Sequence, residues 1–144
     1  MKKLTLIIPA KDEEDSLPQV LNEIKDYECN VIVILEETDI KTINSIKNYD
    51  CKILHQSGRG FGNALIDGIN NVETDYTCIF NADGSFDPKY LKEMLELCEE
   101  NRDFVFASRY KKGGGSDDDT LLTKVGNMIF TFIGRIFFST KISD

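Results

Sequence analysis

The residues best suited to chemistry in this chain are Asn81 and Asp83, separated only by Ala82 and followed at once by Gly84 and Ser85. An amide oxygen and a carboxylate at that spacing can offer two hard donors to one cation. Mg2+ and Mn2+ take such oxygens and complete their shells with phosphate oxygens and water. An ion held there would act as a Lewis acid on a diphosphate, neutralising the charge of a leaving nucleotide. The same triplet also fits an Asx-turn, in which both side chains bond only their own loop. Position favours the first reading, because Asn81 directly follows the apolar run Cys78-Ile79-Phe80 and a helical pattern opens near Pro88.

Several elements must hold that loop in place. Leu4 to Ile8, ended by Pro9, and Val31 to Leu35 are continuous apolar runs, the pattern of strands buried on both faces. Cys51 to Leu54, Tyr76 to Phe80 and Phe104 to Ala107 read as three more strands. The spacing predicts a first helix capped by Ser16, with Pro18 in its first turn and Leu17, Val20, Leu21 and Ile24 inward. A second runs from Asp39 to Asn48 with Ile40, Ile43 and Ile46 inward, and a third from Gly62 to Asn71, entered through Ser57-Gly58-Arg59-Gly60-Phe61. A fourth spans Pro88 to Asn101 with Leu91, Met94, Leu95 and Cys98 inward. Strands alternating with helices imply an α/β fold with a mostly parallel sheet and helices on both faces. Ligands of such sheets bind at the carboxyl ends of strands, near a switch in strand order. The segments to read most closely are therefore Pro9 to Glu13, Glu36-Glu37, His55 to Gly60, Asn81 to Ser85 and Ser108 to Tyr110.

The bulk numbers narrow the partners. A chain of 144 residues fits one domain, and 41% hydrophobic residues suffice for a core. A formal net charge of −8 argues against a nucleic-acid binder, which needs a basic stripe. An acidic protein that handles an anionic nucleotide must screen charge locally, with a metal or a few placed cations. Cys29, Cys51, Cys78 and Cys98 form no CxxC pair, which argues against zinc, and Cys51 and Cys78 read as buried reduced thiols. Only Leu4 to Pro9 is apolar ahead of the charged Lys11 to Asp15, too short for a secretory signal, so a cytoplasmic location is expected. The single histidine, His55, reads as a solvent-facing loop residue.

Four segments carry a family resemblance. Ile7-Ile8-Pro9-Ala10-Lys11-Asp12-Glu13-Glu14 resembles the "(V/I)-P-x-x-N-E-E" opening of inverting family-2 glycosyltransferases. Phe80 to Pro88 resembles their D-x-D segment, and Gly58-Arg59-Gly60 with Ala64 and Gly68 their "G-x-G-x-A-x-x-x-G" helix entry. Ala107-Ser108-Arg109-Tyr110 with Lys112-Gly113-Gly114 is similar to the "S-R-(Y/F)-x-x-G-G" signature of the dolichol-phosphate mannosyltransferase and polyprenyl-phosphate glycosyltransferase branch. The resemblance implies a GT-A (nucleotide-diphospho-sugar transferase) fold, here C-terminally incomplete. It implies that Pro9, Ala10, Lys11 and Glu13 line the base and ribose pocket, and that Ile34 and Glu36 close it. Gly60 and Ser85 join that donor site, Ala82 contacts the ribose, and Asn81 and Asp83 face Mg2+ or Mn2+ and the diphosphate, with Asp83 catalytic. Arg109, also catalytic, reaches a donor or acceptor phosphate, as its fork of donors suits. Two residues depart from the pattern: Asn81 stands where the family has its first aspartate, and Glu36 where it has an aspartate after the second strand.

Leu121 to Phe138 is apolar but broken by Lys124, Asn127 and Arg135. Lys124 and Arg135 lie about three helical turns apart and share one face, which suits an amphipathic helix on a membrane surface; an ordinary helix packed on the sheet fits equally. The resemblance makes Lys124 a contact for the acceptor phosphate. The expected organisation is a nucleotide-sugar-binding domain over 1–112, a flexible loop over 113–119, and an amphipathic helix with the start of an acceptor region over 120–144. Expected partners are a nucleotide diphosphate-sugar, a polyprenyl phosphate, the inner face of the cell membrane and a second copy of the chain, since an incomplete sheet exposes an edge. The implied activity is sugar transfer from the nucleotide to the lipid phosphate, and the alternative is nucleotide-sugar binding without turnover. A nucleotidyltransferase would carry a glycine-rich basic loop after its first strand, where this chain has the acidic Lys11 to Asp15.

Overall fold

The computed structural model describes residues 2–108, 115 and 120–139, without the side chains of Leu121 and Lys124. The chain divides into two compact units, Met1–Arg102 and Asp103–Asp144.

The first unit is built on a four-stranded sheet: β1 (Leu4–Pro9), β2 (Cys29–Leu35), β3 (Lys52–His55) and β4 (Tyr76–Ile79). All three pairings are parallel, and the order is β3-β2-β1-β4. Each crossover carries a helix: α1 (Leu17–Ile24), α2 (Ile40–Ile46) and α3 (Phe61–Asn70). A 3-10 turn, Pro88–Tyr90, then leads into α4 (Leu91–Glu99).

Alternation along β1 divides the core between two faces. Leu4, Leu6 and Ile8 pack with Leu17, Val20, Leu21 and Ile24 of α1, Ile46 of α2 and Leu91 of α4. Ile7 points the other way and meets Ile32, Ile34 and Ala64 of α3. Burial of each such side chain stabilises the fold by about 1.5–3 kcal/mol, which explains why β1 and β2 are almost wholly apolar. On the second face α3 approaches the sheet very closely. A Cβ at Gly68 would lie 2.6 Å from Ile7 Cγ2 and 3.0 Å from Ile34 Cδ1, so only glycine fits. Ala64 and Gly68 therefore serve packing, one turn apart on the inward face of α3.

Four local expectations change. Ser16 does not cap α1 through its side chain; its hydroxyl donates instead to the Glu13 carboxylate. Asp39 proves to be the cap of α2, so Ile40 becomes the first helical residue and turns outward, while Thr42 takes the fully buried place. On α4 only Leu91 is buried; Met94, Leu95 and Cys98 are half-buried. The strand expected over Phe104–Ala107 does not form. A strand exists only where a neighbour accepts its backbone hydrogen bonds, and among the described residues none pairs with this segment. Phe104 and Phe106 are instead exposed and stack on each other, centroids 6.3 Å apart.

The second unit contains α5 (Leu121–Phe138), capped by Thr120, whose hydroxyl oxygen accepts from the Thr123 N–H at 3.2 Å. Leu122, Met128, Phe130, Phe132, Phe137 and Phe138 are all exposed along it. Among the described residues no helix is long and apolar enough to cross a membrane.

Candidate functional site

The strand order reverses at β1: the chain steps from β1 outward to β2 and β3, then returns to β4 on β1's other side. Such a switch opens a crevice beyond the carboxyl ends of the two central strands. The segments leaving there are Pro9 to Glu13 from β1 and Phe80 to Ser85 from β4. They depart side by side, since the Phe80 N–H donates to the Ile7 carbonyl at 2.9 Å and the Ala10 N–H to the Ile34 carbonyl at 2.9 Å.

The first loop is fastened from outside. The Asp12 N–H donates to Asp39 Oδ2 (2.9 Å), and the Glu13 N–H to Thr42 Oγ1 (3.0 Å). Asp39 Oδ1 also accepts from the Thr42 N–H at 3.2 Å, capping α2. Partial burial works to raise the Asp39 pKa, but hydrogen bonds from the Asp12 N–H, the Thr42 hydroxyl and the Thr42 N–H hold it below the ordinary carboxylate value. Asp12 sits at φ 56°, in the left-handed region that costs a residue with a Cβ roughly 1–2 kcal/mol. Two ion pairs span the same segments, Lys11 with Glu36 (3.6 Å) and Lys41 with Glu14 (3.3 Å). Both are exposed and contribute little.

Beyond Phe80, the side-chain hydrogen bonds of the second loop stay within it among the described residues. The Ser85 N–H donates to Asp83 Oδ1 at 2.9 Å, an Asx-turn, and Asn81 Nδ2 donates to Ser85 Oγ at 2.9 Å. Gly84, at φ 77°, makes the turn. Ala82 is buried against the α1 face of the core, while Asp83 and Ser85 are exposed. Asp83 Oδ2 and Asn81 Oδ1 take no part in these bonds. Two oxygens of this kind match the donors Mg2+ draws from a protein when phosphates complete its shell. Among the described residues no three His, Cys, Asp or Glu side chains gather as a metal-holding group. Beside this loop lies a shallow depression of about 480 Å³ lined by Glu23 and Gly84 to Pro88.

Pro9, Ala10, Lys11, Glu13 and Glu36 thus gather at the ends of β1 and β2, with Asn81, Ala82, Asp83 and Ser85 beside them. The Ile34 side chain is fully buried under Gly68, so it supports the strand end from within and does not face a cleft. Gly60, at φ 91°, caps α3 in the loop that follows β3, the edge strand at the far end of the sheet from β4. Its loop is held by Asp67, which accepts from the Ser57 N–H (2.6 Å) and the Ser57 hydroxyl (3.0 Å). Arg109 and the side chain of Lys124 lie outside the described residues. Among the thiols Cys29 is buried and Cys51 and Cys78 are half-buried, and burial pushes the Cys78 thiol up to about 11, so it stays protonated at neutral pH. Asp39 and Thr42 were not expected at the site. Their only sequence signal is an aspartate three residues before a threonine at a helix start, the ordinary spacing of a cap.

Comparison with known proteins identifies the family. The family model described as glycosyl transferase family 2 matches residues 5–144. A UDP-N-acetylglucosamine--dolichyl-phosphate N-acetylglucosaminyltransferase of Methanococcus voltae is 27% identical over 166 residues, covering 99% of this chain and 66% of the relative. Uncharacterized glycosyltransferases of Mycobacterium bovis and Mycobacterium tuberculosis are each 26% identical over 111 residues, covering 77% of this chain and 50% of the relative. The chain spans about half to two thirds of the length of these curated relatives.

Proposed function

The chain belongs to glycosyl transferase family 2, and from that premise we propose that it transfers a sugar from a nucleotide diphosphate-sugar to a polyprenyl phosphate with inversion at the anomeric carbon. The observation that carries this reading is the meeting of the two loops at the β1 switch. Base and ribose lie against Pro9, Ala10, Lys11, Glu13 and Glu36, and the diphosphate lies toward Asn81 and Asp83. When bound there by Asp83 and Asn81, a divalent cation supplies Lewis-acid neutralisation of the leaving diphosphate. A lipid phosphate is already ionised and attacks without a protein base, so His55 needs no role. Arg109 and Lys124 are the candidate acceptor-phosphate contacts, and α5, beside a membrane surface on the cytoplasmic side, would place them. The dolichyl phosphate in the name of the Methanococcus voltae relative supports this class of acceptor.

Asn81 favours a second reading, donor binding without turnover, because an amide brings no charge to the cation. Two measurements separate the readings. Calorimetric titration with UDP-, GDP- and CDP-sugars, with and without Mn2+, reads binding, and transfer to an undecaprenyl- or dolichyl-phosphate mimic reads turnover. Binding with transfer is expected. Binding without transfer selects the second reading, and binding of none of the nucleotides would falsify both.

A further inference from the structure

We propose that Asp39 and Thr42 are positioning residues for the donor: they hold the backbone of Asp12 and Glu13 in the shape the nucleotide meets, and thereby set donor affinity. The inference rests on the donor site proposed above, and deepens it by assigning residues outside that site's own loops.

The argument starts from what the first loop lacks. No side chain of Lys11, Asp12 or Glu13 reaches across to α2 to fix the loop; the connection runs through two backbone amides instead, donated to Asp39 Oδ2 and Thr42 Oγ1. Thr42 is fully buried and cannot be replaced by water in that role. Asp12 is held in a left-handed conformation, one an aspartate visits more readily than most residues, and the bond at its own N–H helps to keep it there. Both restraints come from the first turn of α2, whose chain leaves β2 at Glu36, itself paired with Lys11. The two strand ends that would share the base and ribose are thus tied together behind the ligand. A ligand meeting a loop already in its bound shape loses less entropy on binding. Releasing the loop should weaken affinity for the nucleotide while leaving the reaction of the bound complex unchanged.

Asp39 has two tasks, capping α2 and holding Asp12, and the test must separate them. Asp39→Asn keeps one side-chain oxygen for the Thr42 N–H and turns toward Asp12 an amide nitrogen that cannot accept. Asp39→Ser caps equally well and is too short to serve both amides. Titration with UDP, GDP and CDP in the presence of Mn2+ is expected to show Kd raised about five- to tenfold in both variants for whichever nucleotide the wild type binds, the scale of one lost hydrogen bond. Thermal midpoints should stay within a few degrees of wild type. In the transfer assay KM for the donor rises and kcat is kept, and hydrogen exchange at the Asp12 amide accelerates. Lys41→Met, which removes only the exposed pair with Glu14, should leave Kd within about twofold. Wild type that binds with D39N and D39S unchanged overturns this inference alone. Loss of cooperative melting in both variants also overturns it, since the role is then structural. Wild type that binds none of the three nucleotides overturns the proposed function and this inference with it.

Discussion

The two loops that leave the sheet at β1 and β4 are neighbours with opposite constructions. The β1 loop carries its restraints from another element, through bonds that span 27 and 29 residues of sequence. The β4 loop is closed by bonds of two and four residues' span, and among the described residues no hydrogen bond from beyond it holds Asn81, Asp83 or Ser85. Long-range restraints make a surface whose shape precedes its ligand; local ones leave a turn free to re-form around whatever its oxygens bind. On the proposed function, the restrained loop would serve as a preformed wall for the base and the locally closed turn as an adjustable holder of charge.

The contrast can be broken most forcefully at Asp83. Asp83→Ala should reduce sugar transfer by at least about 100-fold, the scale seen when one group that meets developing charge is lost, while the melting temperature moves little because only the Ser85 N–H loses a partner. A fall in stability matching that at the other loop would erase the distinction. Thr42→Val is the converse: the part-buried Glu13 N–H loses its acceptor, which costs about 1 kcal/mol or somewhat more and lowers the melting temperature by several degrees. Calorimetry of both variants under one set of conditions makes the comparison. A smaller effect is expected from exchanging backbone preferences. Asp12→Gly relieves a left-handed aspartate and Gly84→Ala imposes a left-handed alanine, so their stability changes should differ in sign, each by about 1 kcal/mol, as chemical denaturation would report. The smallest effect concerns pH. The folded pKa of Asp39 is depressed, so its contribution is present above the ordinary carboxylate value and is lost as pH falls through the lowered one. The stability gap between wild type and D39A should therefore hold from pH 7 to about pH 5 and narrow below pH 4; a gap that widened on acidification would contradict the hydrogen-bonding account.

Much of this arrangement was legible in the residues. Continuous apolar runs announced β1 and β2 because strands covered on both faces admit few polar side chains, and Leu17, Val20, Leu21 and Ile24 announced the inward face of α1 by spacing alone. The turn of the β4 loop was legible as well, since the Asx-turn that closes it is made by residues close together in sequence. The β1 restraint was not. It consists of backbone donors, which every residue but proline possesses, meeting acceptors far along the chain, and no composition signals such a pairing. Phe104 to Ala107 misled for a related reason: its alternation suits a strand, but strand formation depends on a neighbour that alternation does not supply. Ile40 was expected inward by periodicity, and the cap at Asp39 turned it outward by fixing where the helix begins.

One contact in the core acts as a mechanical transmission. Gly68 lets α3 rest directly on Ile7 and Ile34, and the preceding residue, Asp67, grips the Ser57 N–H and hydroxyl at the end of β3. The distance between helix and sheet is thus geared to the posture of the glycine-rich segment over Ser57 to Gly60. A single methyl at residue 68 would lift α3 and carry that segment with it. Variation at this interior point would then appear at the surface as a shifted segment with every surface residue unchanged.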